Sequence, residues 1–177
     1  MKIKRITTIS ILAALLCVLS PISIPIGAIP ISLSTFVIYV IAAILSPLDT
    51  VFVILLYIAL GAIGIPVFSS YRSGIGTLFG LTGGYIFGYL LMGLFTSIGI
   101  LKKRKQFFWY IIWMLIGTIL CYSVGSLWYM SLSKTSFKAT IMTAVVPFII
   151  PDLIKIALAS YIGFLINNKT NLNKDNY

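Results

Sequence analysis

Six long apolar runs, separated by short polar turns and nearly free of charge, leave this chain few ways to fold. They span residues 6–19, 31–45, 50–65, 80–101 and 107–129, with a last one ending at 166. A bilayer crossing takes about 20 apolar residues at 1.5 Å each, so runs of this length read as helices in a membrane. The second and third are short for full crossings, and are expected to tilt little or to recruit flanking apolar residues. With 60% hydrophobic and 9% charged residues among 177, the chain has more apolar surface than a soluble core of that size can hide. The expectation is an all-α integral membrane protein, a bundle of six transmembrane helices forming a single membrane domain over residues 1–177.

The few charges are informative by their placement. With the N-terminus taken as cytoplasmic, nine basic residues fall inside, namely Lys2, Lys4, Arg5, Lys102, Lys103, Arg104, Lys105, Lys169 and Lys174. Three fall outside, Arg72, Lys134 and Lys138. This satisfies the positive-inside rule with both termini cytoplasmic. The formal charge of +10 is thus explained by orientation, and with no interleaved basic and aromatic surface no nucleic-acid partner is expected. Lys2, Lys4 and Arg5 before an apolar run resemble a secretory signal, but no small-x-small cleavage site follows, and Leu16 before Cys17 does not fit a lipoprotein site. The run therefore reads as the first span. Cys17 and Cys121 lie in apolar stretches and behave as small hydrophobes.

Prolines show the opposite asymmetry. Pro21, Pro25, Pro30, Pro66, Pro147 and Pro151 fall on the outer side, and only Pro47 falls inside. Irregular backbone at membrane depth survives where protein or a watery cavity satisfies its polar groups, so these segments point to a pocket open to the outside. Ordinary external loops are the plainer alternative. Gly76, Gly80, Gly84 and Gly88, spaced by four, form a smooth helical strip whose main expected use is close helix packing.

Within the last run, residues 151–155 place Asp152 and Lys155 in an otherwise lipid-soluble stretch. An ionisable group there costs about 3 kcal/mol on insertion scales and normally faces a partner, cavity or substrate. At a spacing of i,i+3 the two share a helix face, so they form either a packing ion pair or part of a binding site. Pro151 is expected at the first position of the sixth helix, with Asp152 in its first turn and residues 139–150 as a partial outer helix. From 151 to 166 such a helix would run roughly 24 Å.

Four separated blocks carry a family resemblance: Ile29-Pro30-Ile31-Ser32-Leu33-Ser34-Thr35-Phe36, residues 56–68, Gly80-Leu81-Thr82-Gly83-Gly84-Tyr85, and residues 146–155. Together they resemble the BioY family, the biotin-specific S components of energy-coupling factor (ECF) transporters. The chain departs from that pattern with Ser34 in place of the usual Gln, Leu81 in place of Pro and Ile150 in place of a frequent Gly. In the first helix, where S components carry Ala-x-x-x-Ala for docking, it has Ser10/Ala14 and Ala13/Cys17. The resemblance implies a six-helix subunit of ECF S-component type in the bacterial cytoplasmic membrane. It would bind biotin and partner a transmembrane coupling protein and two ABC-type ATPases. The chain itself holds no Gly-x-x-x-x-Gly-Lys-[Ser/Thr] phosphate loop.

Biotin presents two ureido N–H donors, one carbonyl acceptor, a thioether and a carboxylate. Asp152 can accept from the ureido ring, and Lys155 can donate to its oxygen or to the carboxylate. Arg72 faces water or clamps the carboxylate arm; Ser32, Ser34 and Thr35 cap the second helix or contact the ligand; Tyr85 and Phe68 wall the pocket, unless Tyr85 anchors at the interface. These seven candidate ligand residues are Asp152, Lys155, Thr35, Tyr85, Arg72, Ser34 and Phe68. An S component for riboflavin or thiamine, and a purely structural membrane subunit, are the other readings. An enzyme is disfavoured, because the chain has no His, no Glu and one buried acid; no cofactor or metal is expected.

Overall fold

The computed structural model describes residues 2–25 and 29–169. Lys174 therefore lies outside the described residues. The helices are α1 (Lys2–Leu19), α2 (Ser34–Ile44), α3 (Pro47–Ala62), α4 (Ile75–Leu78), α5 (Gly83–Lys102), α6 (Phe107–Ser133), α7 (Phe137–Ala144) and α8 (Val146–Lys169). Two short strands, β1 (Ser23–Ile24) and β2 (Ile31–Ser32), pair antiparallel between α1 and α2, with Ser23 opposite Ser32. A 3-10 turn at Ser69–Tyr71 follows α3. Among the described residues α5, α6 and α8 are long and apolar enough to cross a membrane, while α2 and α3 are shorter apolar helices.

Local chemistry explains the breaks. Ser46 is extended, as a residue before proline prefers, its side chain accepts from the Asp49 N–H, and Pro47 starts α3. The second helix is shorter than its apolar run because residues 31–32 join the ribbon instead. α2 is apolar on every side and buries Val37, Ile38, Tyr39, Ile41, Ala42 and Ala43, as expected of a central helix. It packs against α5 and α8, with α1 and α3 beside it, and α6 closes the bundle between α5 and α8.

The glycine strip is half realised. On α5, Gly84 lies against Trp128, where a β-carbon would collide with α6, and Gly88 lies against Cys121, where a β-carbon would be crowded. Gly76 belongs to α4 and meets nothing, and Gly80 sits in the turn before α5, so the strip does not continue as one helix face.

The start of the last helix differs from expectation. α8 begins at Val146 and runs through Pro151. The expected partial helix is divided between α7 and the first turn of α8. Pro151 lacks the N–H that would bond the Pro147 carbonyl, and a bundle can absorb the loss of one such bond. Asp152 consequently lies beyond the first turn, and side-chain partners rather than the helix end hold its charge.

The two ends of the bundle differ in kind. At one, Asn167 donates to the Ala43 carbonyl (2.7 Å) and the Tyr110 hydroxyl (3.0 Å), Tyr110 donates to the Arg104 carbonyl (2.8 Å), and Arg5 pairs with Asp49. At the other lie the ribbon, the 3-10 turn, α4, α7 and the start of α8.

Candidate functional site

The irregular end holds a cavity of about 640 Å³, its open mouth included. Its wall draws on β2, the start of α2, the 68–72 turn, α5, α6 and α8, so the proline-bearing segments do converge on one pocket.

Asp152 is the centre of the polar wall. It is 4% exposed. Its Oδ1 accepts from Lys155 Nζ (2.9 Å) and Thr35 Oγ1 (3.2 Å), and its Oδ2 from the Tyr122 hydroxyl (2.6 Å). Lys155 Nζ also donates to the Ser32 carbonyl (2.7 Å) and to Thr35 Oγ1 (3.1 Å). An ammonium has three N–H groups and a carboxylate about four acceptor positions. All three donors of Lys155 are therefore engaged, whereas Asp152 keeps one acceptor position on Oδ2. This satisfies a buried charge pair of the kind that is costly when left bare.

Aromatic residues form the rest. Phe68 is 1% exposed and meets Tyr57 edge-on, with ring centroids 5.4 Å apart. Its ring fits because residue 61 is glycine, where a β-carbon would run into it. Tyr85 lines the wall and donates to the Ala144 carbonyl at 2.8 Å, tying α5 to the end of α7. Arg72 is exposed at the mouth. Its carbonyl accepts from the Phe68 N–H (3.0 Å) across a turn in which Ser70 and Tyr71 hold positive φ of 60° and 57°. Such φ values are unfavourable for these residues. Bonds from the Ser70 N–H to the Pro21 carbonyl (3.1 Å) and between the Ser23 and Ser70 hydroxyls (2.9 Å) hold the turn against the ribbon.

Six of the seven candidate residues, Asp152, Lys155, Thr35, Tyr85, Arg72 and Phe68, line this one cavity. Ser34 does not line it; its hydroxyl is buried behind the wall between Ser20 and Ser32. Tyr122 is the residue that sequence reasoning missed. It sits in the middle of an apolar run, 30 positions from Asp152, and nothing local distinguishes it from a packing tyrosine. Ser32, Tyr89, Thr82 and Phe148 also line the wall. Among the described residues no three His, Cys, Asp or Glu side chains come together as a metal site.

Comparison with known proteins gives this arrangement a context. The BioY family model matches residues 1–171. The chain belongs to the BioY family. It is 36% identical over 174 residues to biotin transporter BioY2 of Lactococcus lactis, covering 98% of this chain and 96% of that protein. It is 34% identical over 161 residues to biotin transporter BioY of Thermotoga maritima, covering 90% and 94%. The crystal structure of an S-component for biotin from an ECF-type ABC transporter superposes with a TM-score of 0.89 at 26% identity, covering 96% of this chain and 93% of that one. This BioY family member is thus an all-α membrane protein of the ECF S-component type.

Proposed function

We propose that the chain is the biotin-binding S component of an ECF-type ABC transporter, capturing the vitamin from outside for ATP-driven uptake. The observation that carries this reading is the hydrogen-bonded Asp152–Lys155–Thr35–Tyr122 cluster in the wall of an aromatic cavity. The free acceptor position on Asp152 suits a ureido N–H. Lys155 neutralises that carboxylate, and any bond it gives a ligand replaces one of its own, of which the 3.1 Å bond to Thr35 is the longest. Phe68 and Tyr85 wall the fused rings, and Arg72 at the mouth meets the carboxylate arm.

In this reading six of the helices cross the bacterial cytoplasmic membrane, the basic end with both termini faces the cytoplasm, and the cavity opens outward. Transport then requires a transmembrane coupling protein and two ABC-type ATPases, and the chain itself performs no catalysis. Support comes from the BioY relatives and from the separation of basic and irregular ends.

The test is equilibrium binding of labelled biotin to the purified protein in detergent, with riboflavin and thiamine as competitors. Saturable binding displaced by biotin alone is expected. Asp152→Asn replaces an anionic acceptor of three bonds and should weaken binding about 100-fold, equivalent to about 3 kcal/mol. An unchanged dissociation constant in that variant removes Asp152 from the site, and no binding by folded wild-type protein removes biotin.

A further inference from the structure

Behind the cavity wall four buried hydroxyls join into a single chain. The Tyr57 hydroxyl lies 2.7 Å from Ser20 Oγ, Ser20 Oγ 2.5 Å from Ser34 Oγ, and Ser34 Oγ 2.9 Å from Ser32 Oγ. Tyr57 comes from α3, Ser20 from the turn just after α1, and Ser32 and Ser34 from the segment that enters α2. Of the four, Ser32 is the one that lines the cavity.

The chain has a preferred direction. Four hydroxyls carry four protons and three links consume three, so one proton is left over; on Ser20 or Ser34, both fully buried, it would have no further partner. If the bonds ran from Ser32 toward Tyr57, the phenol proton would be stranded at a side chain that is 1% exposed, and a buried donor without a partner is costly. If they run from Tyr57 through Ser20 and Ser34 to Ser32, the spare proton belongs to Ser32 and faces the cavity. The Ser34 N–H, 3.4 Å from Ser32 Oγ, also treats that oxygen as an acceptor on its inner side.

Arg72, Ser69, Thr82 and Tyr89 also bring donor groups to the cavity lining, but the donors bound to the Asp152–Lys155 pair are already engaged. Every N–H of Lys155 is engaged within the chain, Tyr122 gives its proton to Asp152, Tyr85 to the Ala144 carbonyl and Thr77 to the Ser73 carbonyl. Asp152 offers an acceptor and no proton. A ureido ring, with two N–H groups and one carbonyl oxygen, requires both. Ser32 stands beside the pair, because its own carbonyl holds Lys155 at 2.7 Å.

We infer that Ser32 donates its hydroxyl proton to the carbonyl oxygen of the bound ureido ring, and that Tyr57, Ser20 and Ser34 are positioning residues that aim it. This rests on the biotin reading. It makes Ser34 functional by a route other than direct contact.

The experiment measures labelled-biotin dissociation constants for full-length wild type, Ser32→Ala, Tyr57→Phe, Ser34→Ala and the Ser32→Ala/Tyr57→Phe double variant, with thermal unfolding as the check on folding. Ser32→Ala should weaken binding about tenfold. Tyr57→Phe and Ser34→Ala, which interrupt the chain at two different points, should each weaken it about threefold. The double variant should bind no worse than Ser32→Ala, since no proton is left to aim. A biotin analogue with sulfur in place of the ureido oxygen, a poorer acceptor, should bind wild type and Ser32→Ala nearly alike. Wild-type binding with an unchanged constant in Ser32→Ala overturns the inference alone, and full additivity in the double variant overturns the relay. Failure of wild type to bind biotin overturns the reading beneath it.

Discussion

Two ion pairs of almost the same length behave as different objects in this protein. Arg5 meets Asp49 at 2.6 Å with side chains 58% and 11% exposed, whereas Lys155 meets Asp152 at 2.9 Å with side chains 12% and 5% exposed. The first joins α1 to the start of α3 at the basic end of the bundle, and Arg5 reaches one carboxylate oxygen with two nitrogens. Water can solvate that guanidinium, so the attraction is screened and loss of Asp49 strands no charge, although the carboxylate itself is buried. The second has lost most of its hydration. It is surrounded instead by the Ser32 carbonyl, Thr35 and Tyr122, drawn from β2, α2 and α6. Separation alone does not reveal the use of a charge pair; the number of groups recruited to it does. A helix-packing pair would be as stable or more so if replaced by hydrocarbon. Recruitment of three further polar groups at a cavity wall is what a recognition site requires.

Replacement of the buried pair by hydrocarbon breaks the comparison most severely. Asp152→Leu combined with Lys155→Met should abolish biotin binding, by on the order of 1,000-fold or more from the loss of both charge-assisted partners. Unfolding stability in detergent should fall by about 1–3 kcal/mol, because Tyr122, Thr35 and the Ser32 carbonyl lose their partners. Binding titration together with thermal unfolding separates the two quantities, and retained binding would reduce the pair to packing. A smaller loss is expected from Tyr122→Phe, which deletes only the 2.6 Å bond to Asp152 Oδ2: about tenfold in dissociation constant, near 1.5 kcal/mol. The smallest effect belongs to the other end. Asp49→Ala or Asp49→Asn, which leaves a guanidinium that water solvates, should cost less than about 1 kcal/mol, diminishing as salt is added, and leave the biotin constant unchanged. A shift in binding from either would show that the basic end communicates with the cavity.

Much of the site was legible from position and composition. Asp152 and Lys155 stand out because charge in an apolar run is expensive, and the outer prolines mark the segments that line the cavity. Thr35, Phe68, Arg72 and Tyr85 follow from the blocks shared with the BioY family and do line it. Ser34 does not line the cavity, and Tyr122 is not singled out by the sequence, for one reason in two forms. A serine at a helix entry can turn toward the ligand or away from it, and a tyrosine in a span can reach a partner 30 residues distant or merely pack. Neither choice is written in spacing along one helix. Pro151 was misread as a helix start because the preference for proline at a first position competes with a single lost backbone bond, and the helix absorbs that loss.

Residue type and run length are enough to dictate that this chain folds into apolar helices in a membrane, that its basic residues gather at the helix ends, and that one acid and one base must be satisfied within the bundle. Those conclusions follow from transfer free energies, which depend on residue type and run length. That Thr35 and Tyr122 complete the shell of Asp152, and that Ser34 stands behind the wall, follows from how the helices assemble. Hydrogen bonds form over about 3 Å between groups from different helices. Which groups come that close depends on how the helices pack, with Gly61 admitting the ring of Phe68 and Gly84 and Gly88 drawing α5 against α6.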